Sequence, residues 1–269
     1  MQRHEIPGPK GTGSVCLPGA RGFTLIDVLV SMAVISILVG LLVPTLGRVQ
    51  ETSRRVVCQS NVRQVGLGLI MYADDFKGML PSSRFVQPAT QSRDGSNYMP
   101  QRTVTLRVPE EEQQRGRSNW DGLGLLFNAE YLPASKIFYC PSHWGENPYS
   151  RYSLQWSQTG GEIICNYHYR GEGPTKPGSG SAPYGQTTSA LFLIDPAQSS
   201  LIADGMETRS DYNHRVGVNF FRADLTVHWF DDEHNQLVEL LPSSKNDDDA
   251  PQNVMQAWRL FDAAANDAD

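Results

Sequence analysis

Positive charge is scarce in this chain: 23 lysines and arginines stand against 29 acidic residues, for a net charge of −6, and no broad basic patch offsets it. That argues against a nucleic-acid partner, because affinity for a phosphate backbone comes from clustered Lys and Arg. The chain also lacks a Gly-x-Ser-x-Gly elbow, a His-Glu-x-x-His helix and a dinucleotide-binding fingerprint. Its acidic residues show no spacing that specifies paired-carboxylate chemistry. Gly178-Ser179-Gly180-Ser181 has neither the lysine nor the spacing of a phosphate loop. The chain therefore reads as a non-enzyme. No internal repeat is present, and the region after the N-terminal segments is long enough for one domain with its own core.

Charge is absent altogether from Val28 to Gly47, a mostly apolar run of twenty residues. At about 1.5 Å per residue, such a helix spans a hydrocarbon layer of about 30 Å. The segment before it carries Arg3, Lys10 and Arg21 against Glu5, so it holds three of the basic residues and leaves the rest of the chain at −8. By the positive-inside tendency the N-terminus stays cytoplasmic and the C-terminal bulk crosses the membrane. A secretory signal carries its cleavage site after the apolar run. Here the candidate junction, Gly22-Phe23, precedes it, so cleavage leaves the apolar helix on the mature protein.

This layout resembles the type IV prepilin-like family, which includes the pseudopilins of type II secretion systems. The resemblance implies cleavage after Gly22 by a membrane prepilin peptidase, N-methylation of Phe23 by the same enzyme, and assembly roles for Asp27 and Pro44. The family usually has Glu where Asp27 stands, so the carboxylate is kept on a side chain one methylene shorter. Arg54, Arg55, Cys58, Asn61, Gln64, Tyr72, Gly78 and Pro81 resemble a bacterial subgroup in which the second half of the helix packs on a small sheet. In that subgroup a C-terminal His is followed after nine residues by Asp-Gly in a hairpin. His214 and Asp224 match, while Leu225 replaces the glycine.

The residues themselves support an α+β fold. Cys58, Val62, Val65, Leu69 and Tyr72 recur at helical spacing, so the helix turns from lipid-facing to core-facing and should end around Asp74 to Pro81. The expected organisation is a leader over 1–22, a transmembrane half-helix over 23–47 and a core-facing half-helix over 48–76. A globular, antiparallel β-rich domain follows over 77–242, and an acidic tail over 243–269. Residues 82–118 read as a polar insertion with one strand over 103–108, and Trp120 begins a short helical piece. Strands are predicted over 137–140, 152–156, 162–169, 190–194, 200–203, 216–221, 225–230 and 236–240. In the tail, Asp247-Asp248-Asp249 and Pro251 precede Val254, Ala257, Trp258 and Phe261, which predicts an amphipathic helix over about 251–265.

Metal and disulfide chemistry leave several alternatives. His214 and Asp224 are ten strand steps apart, up to about 33 Å, which opposes a direct dyad. With Ala223-Asp224 as the turn, residue 214 faces 233. His214 then lies beside Asp231, Asp232, Glu233 and His234, whose carboxylates form a candidate calcium site. The other reading of that segment is a solvated loop. Cys16 falls in the leader, leaving Cys58, Cys140 and Cys165 in an oxidising compartment. Cys58 with Cys140 is the favoured disulfide; Cys140 with Cys165, or three reduced thiols, are the alternatives. Cys140-x-x-His143 and Cys165-x-x-His168 form a candidate zinc set, provided that the predicted strand over the second pair breaks. Trp120, Trp144, Trp156, Trp229 and Tyr169 either line a carbohydrate surface or pack in the core.

These features imply a structural subunit in the cytoplasmic (inner) membrane, single-pass, with its domain in the periplasm or outside the cell. It would need no obligatory cofactor. Its expected partners are prepilin peptidase, further copies or other pseudopilins, and inner-membrane assembly components of a secretion or surface-fibre system. The alternative is a monomeric, single-pass envelope binding protein with a structural zinc or an aromatic ligand site.

Overall fold

The computed structural model describes residues 22–86, 98–113, 118–178 and 186–264. The proposed leader up to residue 21, with Cys16, lies outside the described residues, as do the end of the tail and most of Gly178-Ser179-Gly180-Ser181. The chain divides into two compact units, with the boundary between Arg48 and Val49.

Helix α1 runs over Leu25–Asp75. A reciprocal capping box starts it. The Thr24 N–H donates to Asp27 Oδ2 at 3.0 Å, and the Asp27 N–H donates to Thr24 Oγ1 at 3.3 Å. At the other end Lys77 and Gly78 both adopt positive φ, and the Gly78 N–H donates to the Ala73 carbonyl at 2.7 Å.

The remaining helices are α2 (Gly124–Asn128), α3 (Tyr149–Tyr152), α4 (Gln236–Leu240) and α5 (Ala250–Ala264). The strands are β1 (Thr105–Arg107), β2 (Ile163–Ile164), β3 (Tyr167–Tyr169), β4 (Gly173–Pro174), β5 (Thr187–Thr188), β6 (Ser200–Asp204), β7 (Gly217–Arg222) and β8 (Val227–Asp231). Four of them form an antiparallel sheet in the order β3-β6-β7-β8, and β1-β2 and β4-β5 form two small ladders.

The central sheet is covered on both faces. Strand side chains alternate between faces, so Ile202 and Phe221 pack in one cluster with Cys58, Val62, Val65 and Leu69 of α1. Ala203, Val218 and Phe220 pack in a second with Val254, Ala257, Trp258 and Phe261 of α5. All residues of β6 and β7 are buried as a result. Gly66 allows the close approach of α1, since a Cβ there would collide with the Phe221 ring.

Several predicted strands are corrected. The run 137–140 is a 3₁₀ turn over Ser135–Phe138, 152–156 falls across α3 and a second 3₁₀ turn, and 190–194 holds a third over Leu191–Leu193. Short apolar runs carry too little periodicity to separate a turn with one buried side chain from a strand. The segment 236–240 is helix α4, because both Asp232 carboxylate oxygens accept from its first N–H groups, those of Leu237 and Val238, at 3.0 Å. The strand over 162–169 breaks at Cys165-Asn166 into β2 and β3.

The β7–β8 hairpin is one residue longer at its turn than expected. Phe221 pairs with Val227, and the Leu225 N–H donates to the Arg222 carbonyl at 3.0 Å. Leu225 has φ 72°, the left-handed conformation that closes a three-residue hairpin loop and suits glycine.

Two outcomes test this packing. Leu225→Gly should stabilise the domain by about 1 kcal/mol in a denaturant titration, because a leucine side chain is strained at positive φ. Trp258→Ala should cost about 3–5 kcal/mol in the same measurement, since the indole is almost fully buried between α5 and the sheet.

Candidate functional site

The N-terminal junction is open and helix-initiating. Gly22 and Phe23 precede the capping box, Phe23 is 81% exposed, and a Cβ at Gly22 would meet nothing within 4 Å. The apolar part of α1 shows hydrophobic side chains on every side, from Leu25 to Leu46, and none of its most apolar window is buried. Such a helix needs a lipid or protein environment. Its hydroxyls are already satisfied. Ser31, Ser36 and Thr45 donate back to the carbonyls of Val28, Met32 and Leu42 at 2.8 to 2.9 Å, so they expose no unpaired donor to hydrocarbon. Pro44 lies inside this helix and has no N–H for the carbonyl four residues earlier.

Within the domain, four buried side chains from distant parts of the chain meet. Cys58 comes from α1, Cys140 from the segment after the first 3₁₀ turn, Asp204 from the end of β6 and His214 from the loop before β7. One thiol, carboxylate or ring-nitrogen atom from each lies within 4.8 Å of the others. The Cys58 thiol donates to Asp204 Oδ2 at 3.2 Å, and Cys140 Sγ lies 3.4 Å from His214 Nε2. His214 Nε2 is also 3.0 Å from Asp204 Oδ2. Outside this group, Glu51 Oε1 lies 2.7 Å from His214 Nδ1, and Ser142 Oγ donates to the same carboxylate. Asn213 Nδ2 donates to Asp204 Oδ1.

The expected Cys58–Cys140 disulfide is not formed in this structure, where all three described cysteines are free thiols. The two sulfurs lie within 4.8 Å of each other, and Asp204 and His214 share their pocket.

The other expected sites do not assemble, and among the described residues the four-residue group is the one cluster that could hold a metal. Cys165 donates to the Tyr167 carbonyl at 3.2 Å, His143 Nδ1 lies 2.7 Å from Asn213 Oδ1, and His168 sits between the Gln101 carbonyl and the Met206 N–H. Cys140, His143, Cys165 and His168 therefore each have separate partners. Asp232 caps α4, while Asp231, Glu233 and His234 are exposed and form no cluster with it. Asp224 accepts from the Thr226 N–H in the hairpin turn, remote from His214 in role. The aromatic residues do not form one surface. Trp156 and Tyr169 are core residues, Trp229 lies under the Arg55 guanidinium at 3.3 Å, and Trp144 is separately exposed beneath Arg215.

Burial sets the electrostatics of this interior. It pushes the Cys140 thiol upward, with Cys58 and Asp204 adding to the effect. It lowers His168 to about 4. At His214 burial also acts downward, but the hydrogen bonds and charges of Asp204 and Cys58 outweigh it and raise the group to about 11. Asp204 and Glu51 carry no local sequence signal, so sequence reasoning missed both.

Residues 17–43 match the prokaryotic N-terminal methylation motif, so the chain is a type IV pilin-like protein bearing the processing signature of prepilin peptidase substrates. Residues 48–207 match the family described as protein of unknown function DUF1559, more than half of the chain, and the chain belongs to that family. The matched stretch contains Cys58, Cys140 and Asp204 and stops before His214. No curated protein and no solved structure matches the chain.

Glu207, three residues beyond Asp204, gives a pH test. Burial, then Asp211, raises its carboxyl to about 7 from the ordinary 4.5. A raised carboxyl favours the folded state below about pH 4.5, and that advantage is lost as pH climbs through 7. Glu207→Gln should therefore match the parent chain near pH 4 and exceed its stability by about 3 kcal/mol at pH 8 in denaturant titrations, because each tenfold change in proton affinity is worth about 1.4 kcal/mol.

Proposed function

We propose that this chain is a membrane-anchored structural subunit that prepilin peptidase cleaves after Gly22 and methylates on Phe23, and that then assembles through its apolar helix into a filament or pseudopilus. The observation carrying this reading is the junction itself: a methylation motif directly ahead of a helix that is apolar on every side. A secreted soluble protein has no use for such a helix after processing. A filament subunit uses it twice, first in the hydrocarbon layer and then in a core of packed helices. The N-terminus stays in the cytoplasm, the domain lies beyond the inner membrane, and the acidic surface of the domain faces outward.

Asp27 has a place in this scheme. In the single chain its carboxylate accepts from the Thr24 N–H and hydroxyl at 3.0 and 2.8 Å. In an assembly the same carboxylate is available to a neighbour's N-terminal amine, which becomes free once the leader is removed. Pro44 leaves one helix carbonyl without its usual donor, which gives the helix a point of adjustment during packing.

Protein co-expressed with an active prepilin peptidase should carry N-methyl-Phe23 as its first residue by mass spectrometry. A bulky residue at Gly22 should leave the leader attached while membrane insertion persists. Asp27→Ala should still be cleaved and methylated, yet give far fewer filaments by electron microscopy in the presence of an assembly system. An intact leader in the parent chain would overturn the processing step. Stable monomers of the fully processed chain under assembly conditions would instead favour a single-pass binding protein.

A further inference from the structure

We propose that Cys58, Cys140, Asp204 and His214 form a tetrahedral zinc site that fixes α1 to the sheet. Geometry is the first support. With Zn–S of about 2.3 Å and Zn–N and Zn–O of about 2.0 Å, tetrahedral ligands stand about 3.5 Å apart across S–O and S–N edges and about 3.3 Å across an N–O edge. The chain has 3.2 and 3.8 Å for its two S–O edges, 3.4 Å for an S–N edge and 3.0 Å for the N–O edge. Four of the six edges of the group therefore already lie close to the lengths a bound ion requires, and the other two are within 4.8 Å.

The donor set selects the metal. Two thiolates and an imidazole are borderline-soft ligands that favour zinc over calcium or magnesium, which take oxygen shells. All four residues are buried, with Cys58 and Asp204 wholly so, which closes the shell to solvent as in a structural site.

Outer partners give a second, independent support. A metal-bound histidine directs one ring nitrogen at the ion and donates its other N–H to a carboxylate or carbonyl. His214 Nδ1 sits 2.7 Å from Glu51 Oε1 while Nε2 points into the cluster, and Ser142 holds the Glu51 carboxylate at 3.1 and 2.9 Å. Asn213 donates to the Asp204 oxygen that does not face Cys58, so the other oxygen stays turned inward. A disulfide between Cys58 and Cys140 would use the two sulfurs alone and would not account for this orientation of His214 and Asp204.

The ligands come from four separated segments, so the ion would tie α1, the Cys140 segment, β6 and the loop before β7 at one point. Metal binding and folding of the domain would then be linked.

The test uses the processed full-length chain, solubilised in mild detergent and purified without chelator. Elemental analysis should find one zinc per chain, and Co²⁺ exchange should give the visible bands of tetrahedral coordination with a thiolate charge-transfer band in the near ultraviolet. Ligand substitutions risk misfolding, so Glu51→Gln provides the graded variant: circular dichroism should stay unchanged while zinc affinity falls about 10–100-fold. Cys165→Ser should keep full zinc occupancy, because Cys165 lies outside the cluster. A chain without zinc whose peptide map joins Cys58 to Cys140 would overturn the proposal. So would a Co²⁺ spectrum without thiolate bands, or equal zinc loss in Cys165→Ser and Glu51→Gln.

Discussion

The domain depends on one contact: the second half of α1 lying directly on the β3-β6-β7-β8 sheet. Cys58, Val62, Val65 and Leu69 are fully buried there, and burying side chains of this size contributes about 1.5–3 kcal/mol each. Gly66 lets the helix sit down on Phe221, and a methyl group at that position would force the ring or the helix to move. The other face then follows. Because β6 and β7 send alternate residues to opposite sides, Ala203, Val218 and Phe220 would face water without α5, and Trp258 with Phe261 covers them. The tail is thus a third layer of the domain.

One helix therefore carries two kinds of surface. Up to Leu46 it is apolar on every side, and from Cys58 onward it has one buried apolar stripe, with mostly polar residues elsewhere apart from exposed Leu67 and Met71. The first pattern suits an environment that is apolar all round, whether lipid or packed helices, and the second suits a sheet with water behind it. The change of pattern puts two different kinds of surface on successive parts of the same element.

Much of this is legible in the sequence, because long periodic segments state their own geometry. The α1 stripe, the β7 and β8 strands and the amphipathic tail helix each extend over enough residues for the period to register. The short elements do not. Phe138-Tyr139-Cys140 and Gln236 to Leu240 are apolar runs whose conformation is decided by neighbours such as Asp232, which caps α4 from outside it. The hairpin register is hidden for a related reason. Leu225 gives no local hint of positive φ, so a two-residue turn is the natural expectation; His214 misses the predicted acids for a separate reason, because the β7–β8 ladder begins at Gly217 and the loop before it turns the imidazole inward to Asp204.

The same limit governs the interior cluster. Cys140-x-x-His143 and Cys165-x-x-His168 look like a metal motif because local spacing is visible, yet their side chains separate into different hydrogen-bonded pairs. The group that does converge draws one residue from each of four segments, with Asp204 supplied by the end of a buried strand, and its outer partner Glu51 is half-buried on the same face of α1 as Cys58. Nothing about an aspartate after Leu201-Ile202-Ala203 marks it as more than a strand terminus. Its importance arises from the register of β6 against β3, which sets Asp204 opposite Tyr167, beside Cys58 and below His214. The cluster and the helix–sheet contact are one structural unit because Cys58 belongs to the buried α1 stripe: sliding α1 by a turn would keep that stripe on the sheet but withdraw Cys58 from the other three residues.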